Sequence, residues 1–242
     1  MSEELATPNA YPPMSPAETW IKALTKPNDR AYREIVNDSG ASLGKAILWL
    51  AGFGFLGGLF SGIGRSLFGT SVMDQFTQFT ELAGTDFPIP MSVPTGGSGF
   101  LSVVGGSFFG AAGGVIGALI IVGLVHLVSR ALGGTGSFEK LFYGTAAYSA
   151  PLGLVTSVIG TIPIVNCLGL PLGIYGIVLA VLANKAAHEY DTGKAVIATL
   201  APLLVIFLLC CCVTAIFGTA LSALLGPAIG NVFENIGSTL SP

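Results

Sequence analysis

The sequence predicts an all-α integral membrane protein with five transmembrane helices and short interfacial helices at both ends. Charged residues make up only 10% of the 242 residues, whereas soluble globular proteins contain about 25%. Hydrophobic residues make up 52%, so the chain has too little polar surface to cover a water-soluble globule. Five apolar blocks, each of at least about 18 residues, are long enough to cross a hydrocarbon core of about 30 Å as helices.

The apolar blocks define the predicted spans. They cover residues 46–64, 101–128, 142–162, 164–186 and 195–217. Only Pro163 separates the third block from the fourth, so we expect these two helices to form an antiparallel hairpin. The fourth block contains Pro171, which leaves a re-entrant segment as the alternative to a full span.

The N-terminal segment, residues 1–40, is predicted to contain two short amphipathic helices. Ser15 followed by Pro16 is typical of a helix start, and Pro27 should end this first helix. A second helix is predicted to begin at Asn28. Tryptophan and tyrosine beside basic residues favour a position on the cytoplasmic membrane surface. The alternative is a soluble segment that contacts nothing else in the protein.

Lysine and arginine set the predicted orientation. With the N-terminus in the cytoplasm, nine of the ten basic residues lie inside and only Arg65 lies outside. The positive-inside rule therefore predicts a cytoplasmic N-terminus and, after five spans, an outer C-terminus. The predicted domains are the segment 1–40, a membrane domain at 41–217 with an outer loop at 65–99, and an outer interfacial segment at 218–242.

Three predicted spans carry glycines at every fourth position. They are Gly54, Gly58 and Gly62 in the first span, Gly106, Gly110 and Gly114 in the second, and Gly169 and Gly173 in the fourth. Lipid gives helices no hydrophobic reason to associate, so close approach through small residues supplies the contact instead. We interpret these rows as helix-packing faces within one subunit. The alternative is a seam between copies in a homo-oligomer.

No catalytic residue, cofactor or metal ligand is predicted. The five predicted spans contain no aspartate or glutamate, and we interpret His126 as an ordinary residue at the membrane interface. The stretch HEYDTGK at 188–194 reads as a solvated charged turn, with a docking epitope for a partner as the alternative. A net charge of −3, without a basic cluster, excludes a nucleic-acid partner.

A series of short motifs resembles one protein family. In order, the chain contains GGTGSF at 133–138, AYSAP at 147–151, IP at 162–163, IYGIVL at 174–179, HEYDTGKA at 188–195 and a proline at 202. This order and spacing resemble the Yip-domain family, the Ypt/Rab-interacting type of polytopic membrane protein. The positions that the motifs mark are Tyr148, Pro151, Pro163, Tyr175, His188, Lys194 and Pro202.

The resemblance implies a five-helix membrane domain without known catalysis. Eukaryotic relatives act in vesicle traffic and contact prenylated small GTPases. This chain has a short cytoplasmic segment and a long loop at 65–99, and it looks more like the prokaryotic members. The resemblance therefore does not carry a GTPase partner onto this chain, and it implies a multi-pass protein of a prokaryotic cytoplasmic membrane.

These observations predict a non-enzymatic membrane protein with a role in membrane organisation or protein interaction. Its expected partners are the lipid bilayer and either another membrane protein or a second copy of the chain. The alternative function is that of a subunit of a small-solute transporter or channel. Polar residues such as Tyr148, Thr156 and Asn166 are sparse in the spans, which offers little for an ion path.

Overall fold

The computed structural model describes residues 11–68, 100–162 and 165–240, with side chains for 11–64, 100–162 and 165–216. The described residues form seven α-helices and one 3₁₀-helix, with no β-strand among them. The helices are α1 (Pro16–Thr25), α2 (Asp29–Val36), α3 (Leu43–Phe68), α4 (Phe100–Ala131), α5 (Phe138–Gly160), the 3₁₀-helix (Val165–Leu168), α6 (Gly169–His188) and α7 (Thr192–Leu240). Pro163 and most of the predicted outer loop lie outside the described residues.

Four helices within the described residues are long and apolar enough to cross a membrane, not the five that the sequence predicted. They are Leu43–Gly64, Phe100–Ala131, Val165–His188 and Thr192–Ile216. The remaining predicted span, 142–162, forms the 23-residue helix α5, in which Tyr143, Tyr148 and Ser149 dilute the apolar residues. Helix α5 is able to carry these polar residues because it contacts other helices, so much of its surface meets protein and not lipid. The helices that it contacts are α1, α2, α3, α4 and α6.

The last helix, α7, is continuous over Thr192–Leu240. The sequence predicted a span that ends at residue 217 and a separate interfacial helix after it. That break is absent from the described backbone, because both Gly218 and Pro227 lie inside the helix. Proline and glycine are tolerated inside apolar membrane helices, where local adjustments satisfy the freed backbone groups.

The chain divides into two compact units, residues 1–199 and 200–242. The second unit is the continuation of α7. The first unit contains α1 to α6 and the first turns of α7, and its core lies where α2 packs against α5 and α6. Its largest fully buried apolar and aromatic side chains are Tyr32, Ile35, Val36, Leu141, Phe142, Tyr143 and Leu179.

The boundaries of α1 and α2 follow the predicted signals. The Ser15 hydroxyl accepts a hydrogen bond from the N–H of Glu18 at 3.3 Å, which satisfies one free donor of the first turn. Helix α1 ends at Thr25, before Pro27. The Asn28 side chain caps α2 by accepting an N–H of its first turn at 2.9 Å. Both helices therefore begin where the sequence placed them.

Helices α1 and α2 pack on other helices, so the alternative of a segment that contacts nothing else was wrong, and the position on the membrane surface stays a prediction. The apolar face of α2, with Tyr32 and Ile35 at 0% exposure, is buried against α5 and α6, so it meets protein and not the lipid surface. Trp20 of α1 makes edge-to-face contacts with Trp49 and Phe53 of α3, with ring centroids 5.5 and 4.8 Å apart. The two helices are therefore part of the first unit's core.

Candidate functional site

The glycine loop, residues 132–137, lies against the C-terminal end of α6. A Cβ atom on Gly134 would lie 2.7 Å from Nδ1 of His188, and one on Gly136 would overlap the backbone carbonyl of Ala187. Because glycine has no side chain, the loop backbone comes this close without a clash. Two motifs that are far apart in sequence, GGTGSF and HEYDTGKA, thus meet in one place.

Hydrogen bonds hold the glycine loop in position. The guanidinium of Arg130 donates to the carbonyls of Gly134 at 3.4 Å and Thr135 at 3.3 Å. The N–H of Thr135 donates to the carbonyl of His188 at 3.4 Å. Gly133, the second residue of the loop, has a φ of 91°, where residues with a side chain are strained. A glycine at this position is typical of the end of a helix, here α4.

The two histidines face each other beneath this loop. Nδ1 of His126 lies 3.2 Å from Nε2 of His188, and the ring centroids are 5.0 Å apart. Tyr190 stacks on the outer face of His188 at an interplanar angle of 10°. Phe138 lies edge-on against His126, with ring centroids 5.8 Å apart. Aromatic rings thus flank the pair; His188 is only 1% exposed, and His126 is half-buried.

A network of hydroxyl and amide groups lies beside the histidines. The Oδ1 atom of Asn184 lies 2.9 Å from the Ser129 hydroxyl and accepts from the Tyr190 hydroxyl at 2.8 Å. Its Nδ2 atom donates to the Thr199 hydroxyl at 3.0 Å. Burial raises the pKa of the Tyr190 hydroxyl, which therefore stays protonated and able to donate. The network joins α4, α6, the turn after α6 and the start of α7.

Sequence reasoning missed this network and the histidine pair. His126 was assigned to the interface and His188 to a solvated turn, but the structure buries His188 and places the two rings in contact. One signal was present: Ser129 lies three residues after His126, so the two share a helix face. Asn184 is likewise a polar residue within an apolar span, where such residues need partners.

Polar contacts also attach the N-terminal helices to α5 and α6. Lys185 of α6 forms an ion pair with Asp29 at 2.5 Å, and the Tyr175 hydroxyl donates to the carbonyl of Leu24. Lys140 of α5 donates to the side chain of Asn37 at 2.7 Å. We call this whole region the polar end. It comprises α1, α2, the glycine loop and residues 189–191, with the adjoining ends of α4, α5 and α6 and the first turns of α7.

Asp38 connects the start of the described chain to α5. Its Oδ1 atom accepts from the N–H groups of Met14 at 3.3 Å and Gly40 at 2.8 Å. The Tyr143 hydroxyl donates to its Oδ2 atom at 3.3 Å. The carboxylate is only 5% exposed, so its burial depends on these donors.

The other motif positions have varied surroundings. Tyr148 is 7% exposed, and Pro151 lies buried within α5. Tyr175 contacts α1, as described above, and Lys194 is exposed near the start of α7. Pro202 lies in the second unit.

The glycine row of α3 contacts α4. A Cβ atom on Gly58 would lie 2.9 Å from Cα of Ser107, and one on Gly62 would lie 2.5 Å from a methyl group of Val103. Gly54 is looser, with the nearest atom of Ala111 at 3.5 Å. We call this contact the glycine seam. The backbones of α3 and α4 approach closely there because α3 presents no side chain.

The glycine rows of α4 and α6 do not take part in such contacts within the described structure. A Cβ atom on Gly106, Gly110, Gly114 or Gly173 would meet no atom within 4 Å, and one on Gly169 would meet only Asn166, at 3.9 Å. The face of α4 that meets α3 is a different one, formed by Val103, Ser107 and Ala111. As packing faces within one subunit, the rows of α4 and α6 are therefore not supported.

Gly110 and Gly114 instead line a cavity of about 200 Å³ between α3, α4 and α5. Its wall is made mainly of glycine and apolar side chains, with the hydroxyls of Ser149 and Ser157 as the polar side chains. Among the residues that the structure describes, no group of three or more His, Cys, Asp or Glu side chains could hold a metal ion.

Comparison with known families identifies the fold type. A family model described as the Yip1 domain matches residues 21–214, which is most of the chain. The chain belongs to the Yip1 domain family. The match includes the motif series from Gly133 to Pro202, so the resemblance seen in the sequence is confirmed. Neither the curated proteins nor the solved structures contain a significant match to the chain.

Proposed function

We propose that this Yip1-domain protein is a non-enzymatic membrane protein whose polar end binds another membrane protein or a second copy of itself. The observation that carries this proposal is the fixed position of α1 and α2. The apolar face of α2 is buried in the first unit, Trp20 of α1 packs on α3, and an ion pair and hydrogen bonds attach the two helices to α5 and α6. Such an arrangement offers a folded protein surface next to the membrane spans, which suits recognition of a partner.

The proposed topology has five spans. Helix α5 is 23 residues long, enough to cross a bilayer core, and neighbouring helices can shield its polar side chains from lipid. With α5 included, the distribution of lysine and arginine supports a cytoplasmic N-terminus and an outer C-terminus. The resemblance to prokaryotic relatives supports a location in a prokaryotic cytoplasmic membrane.

The absence of enzymatic activity is part of the proposal. Several titratable side chains of the polar end are engaged with one another: Lys185 with Asp29, His126 with His188, and Lys22 with Glu34 at 2.9 Å. Catalysis needs a group that is free to reach a substrate, with a neighbour that activates it. The contacts at the polar end serve structure instead.

Photo-crosslinking from defined positions tests the interaction role. A photoreactive residue at Arg33, which is exposed on α2, should form discrete adducts with one membrane protein or with a second copy in native membranes. The matched control is Leu48, which is 70% exposed on the apolar helix α3 and should give lipid adducts. If Arg33 and other exposed positions of the polar end yield no protein adduct, the proposal is wrong.

The cavity between α3, α4 and α5 favours a second candidate, a subunit of a small-solute transporter or channel. It provides space of about 200 Å³ and two serine hydroxyls beside the spans. Purified protein in sealed vesicles should then carry a small polar solute across the membrane. Flux that the change Gly110→Leu blocks would support this candidate over an interaction role.

A further inference from the structure

The histidine pair is placed so that one added proton would disturb the glycine loop. The chain contains two histidines in all, and these two rings face each other at 3.2 Å. In the neutral pair, a single N–H lies between them: one ring donates and the other accepts. The second nitrogen of His188, Nδ1, is buried and has no hydrogen-bond partner in the described structure.

Uptake of a proton changes the state of that buried nitrogen. In the neutral pair, Nε2 of His188 can donate to Nδ1 of His126, and Nδ1 of His188 then carries no hydrogen. A singly protonated pair holds three hydrogens on four nitrogens. If one hydrogen stays between the rings, both outer nitrogens carry one, including Nδ1 of His188. Protonation thus places an N–H at a buried site that has no acceptor, which is unfavourable.

The backbone that covers this nitrogen belongs to the glycine loop. Gly134 is so close that a Cβ atom there would lie 2.7 Å from Nδ1 of His188. Water can reach the new N–H only if this loop moves away. We propose that the histidine pair is a pH-sensitive latch: at neutral pH it keeps the glycine loop closed, and its protonation releases the loop.

The charged groups around the pair do not compensate an added proton. Arg130 of α4 is positive, and it binds the loop carbonyls of Gly134 and Thr135. In the described part of the chain, no carboxylate hydrogen-bonds to either imidazole. The remaining titratable groups nearby are engaged elsewhere or lie beside His188 in the chain. Glu139 of α5 accepts from the N–H of Leu43, and Lys185 of α6 is paired with Asp29. After His188 come Glu189, then Tyr190, which stacks on the imidazole, and Asp191, which accepts from the N–H groups of Gly193 and Lys194.

Release of the loop would open the end of α6. The hydrogen bond from Thr135 to the carbonyl of His188 and the contact between Gly136 and Ala187 would both be lost. The backbone carbonyls at the end of α6 would then face solvent at the polar end. The latch therefore adds a response to pH that goes beyond the proposed interaction role.

Two measurements on the full chain in detergent micelles test the latch. Because the chain has two histidines, nitrogen-15 labelling of histidine gives two ring spectra, which report protonation as the pH is lowered from about 8 to about 3, a range that allows for the effect of burial on imidazole. Hydrogen exchange of residues 132–137, corrected for the intrinsic effect of pH, reports loop opening. As the pH falls from the ordinary histidine pKa of about 6.5 towards the midpoint of the ring titration, protection of the loop should fall by up to about tenfold per pH unit, because opening is linked to the uptake of one proton.

Two variants separate the latch from a general effect of acid. His188→Gln removes the critical nitrogen, so loop protection should no longer depend on pH. His126→Gln keeps a hydrogen-bond partner for His188 and should shift the midpoint while retaining the response. The proposal is overturned if the wild-type rings titrate while loop protection stays constant, or if His188→Gln responds as the wild type does. If His188→Gln does not fold, the wild-type measurement alone decides.

Discussion

The polar end and the glycine seam hold helices together by different means. At the polar end, each contact joins two named groups, such as Lys185 with Asp29 or Asn184 with Thr199. At the seam, the contact comes from a missing side chain, because the backbone of α4 at Ser107 approaches α3 at Gly58. Pairs of polar side chains hold the polar end together, whereas the glycine seam depends on the absence of side chains on α3.

The difference shows which contacts depend on a specific partner. A buried polar group needs a partner, so the polar end tolerates few other arrangements. A glycine row only permits close approach, and the row of Gly106, Gly110 and Gly114 meets no atom within 4 Å, although its spacing equals that of α3. Glycine spacing therefore identifies helix faces that allow close packing, but it does not determine which of these faces contacts another helix.

The largest expected effect concerns the core beneath the polar end. Ile35→Ala removes a side chain with 0% exposure and should lower the free energy of unfolding by about 2–5 kcal/mol. The matched change Ile21→Ala, at a side chain of α1 that is 62% exposed, should alter it by less than about 0.5 kcal/mol. Denaturant unfolding in detergent compares the two. Equal losses would mean that α2 is not docked as described.

The next effect tests whether the polar end depends on its partners. Asn184→Ala leaves the buried hydroxyls of Ser129 and Thr199 without their amide partner and should cost about 1–3 kcal/mol. The same change at Asn166, an exposed residue of the 3₁₀-helix, should have little effect. Thermal unfolding in detergent checks both variants. A stable Asn184→Ala protein would show that the network is not needed for stability.

A matched glycine pair tests the seam. Gly58→Ala places a Cβ atom 2.9 Å from the backbone of Ser107 and should destabilise the protein by about 1–3 kcal/mol. Gly110→Ala meets no atom within 4 Å, so it should leave stability unchanged or raise it by up to about 1 kcal/mol, because alanine is the better helix former. The same unfolding assay compares them. If Gly110→Ala is the more harmful of the two, the cavity wall at Gly110 has less room than the seam at Gly58, and the seam is not the tighter contact.

The smallest effect concerns the partly exposed ion pair of α1 and α2. The hydrogen bond from Lys22 holds the pKa of Glu34 below its usual value. The resulting stability is present at neutral pH and is lost as the pH falls through the lowered pKa, because the unfolded carboxylate takes up its proton first. Solvent screens the pair, so Glu34→Gln should cost less than about 1 kcal/mol at pH 7. It should also flatten the acid limb of a plot of stability against pH.

Much of the fold followed from local signals in the sequence. Ser15 and Pro27 bounded α1 because capping and proline chemistry act over a few residues. Four of the predicted spans coincide with helices that can cross a membrane, since length and apolarity suffice for that prediction. Helix α5 does not meet the same criterion, because tyrosine and serine residues, several of them covered by neighbouring helices, lower its apolar content.

The candidate site could not be predicted from local sequence, because it is formed by residues that lie far apart in the chain. His126 and His188 are 62 positions apart, and nothing in their local sequence places the two rings together. The same holds for Gly134, whose role is visible only once α6 lies beside it. The motif series marked the stretches around Gly134 and His188 but not His126, and it did not show which residues are in contact.

The docking of α1 and α2 makes the N-terminal helices a fixed part of the Yip1-domain bundle. Spin labels at Arg33→Cys on α2 and Lys194→Cys at the start of α7, two exposed positions of the first unit, test it most directly. The native cysteines, Cys167, Cys210, Cys211 and Cys212, would be replaced first. Pulsed electron paramagnetic resonance in lipid nanodiscs should give one narrow distribution of distances between the labels. A broad distribution would show that α1 and α2 move freely on the membrane surface, and it would contradict the account.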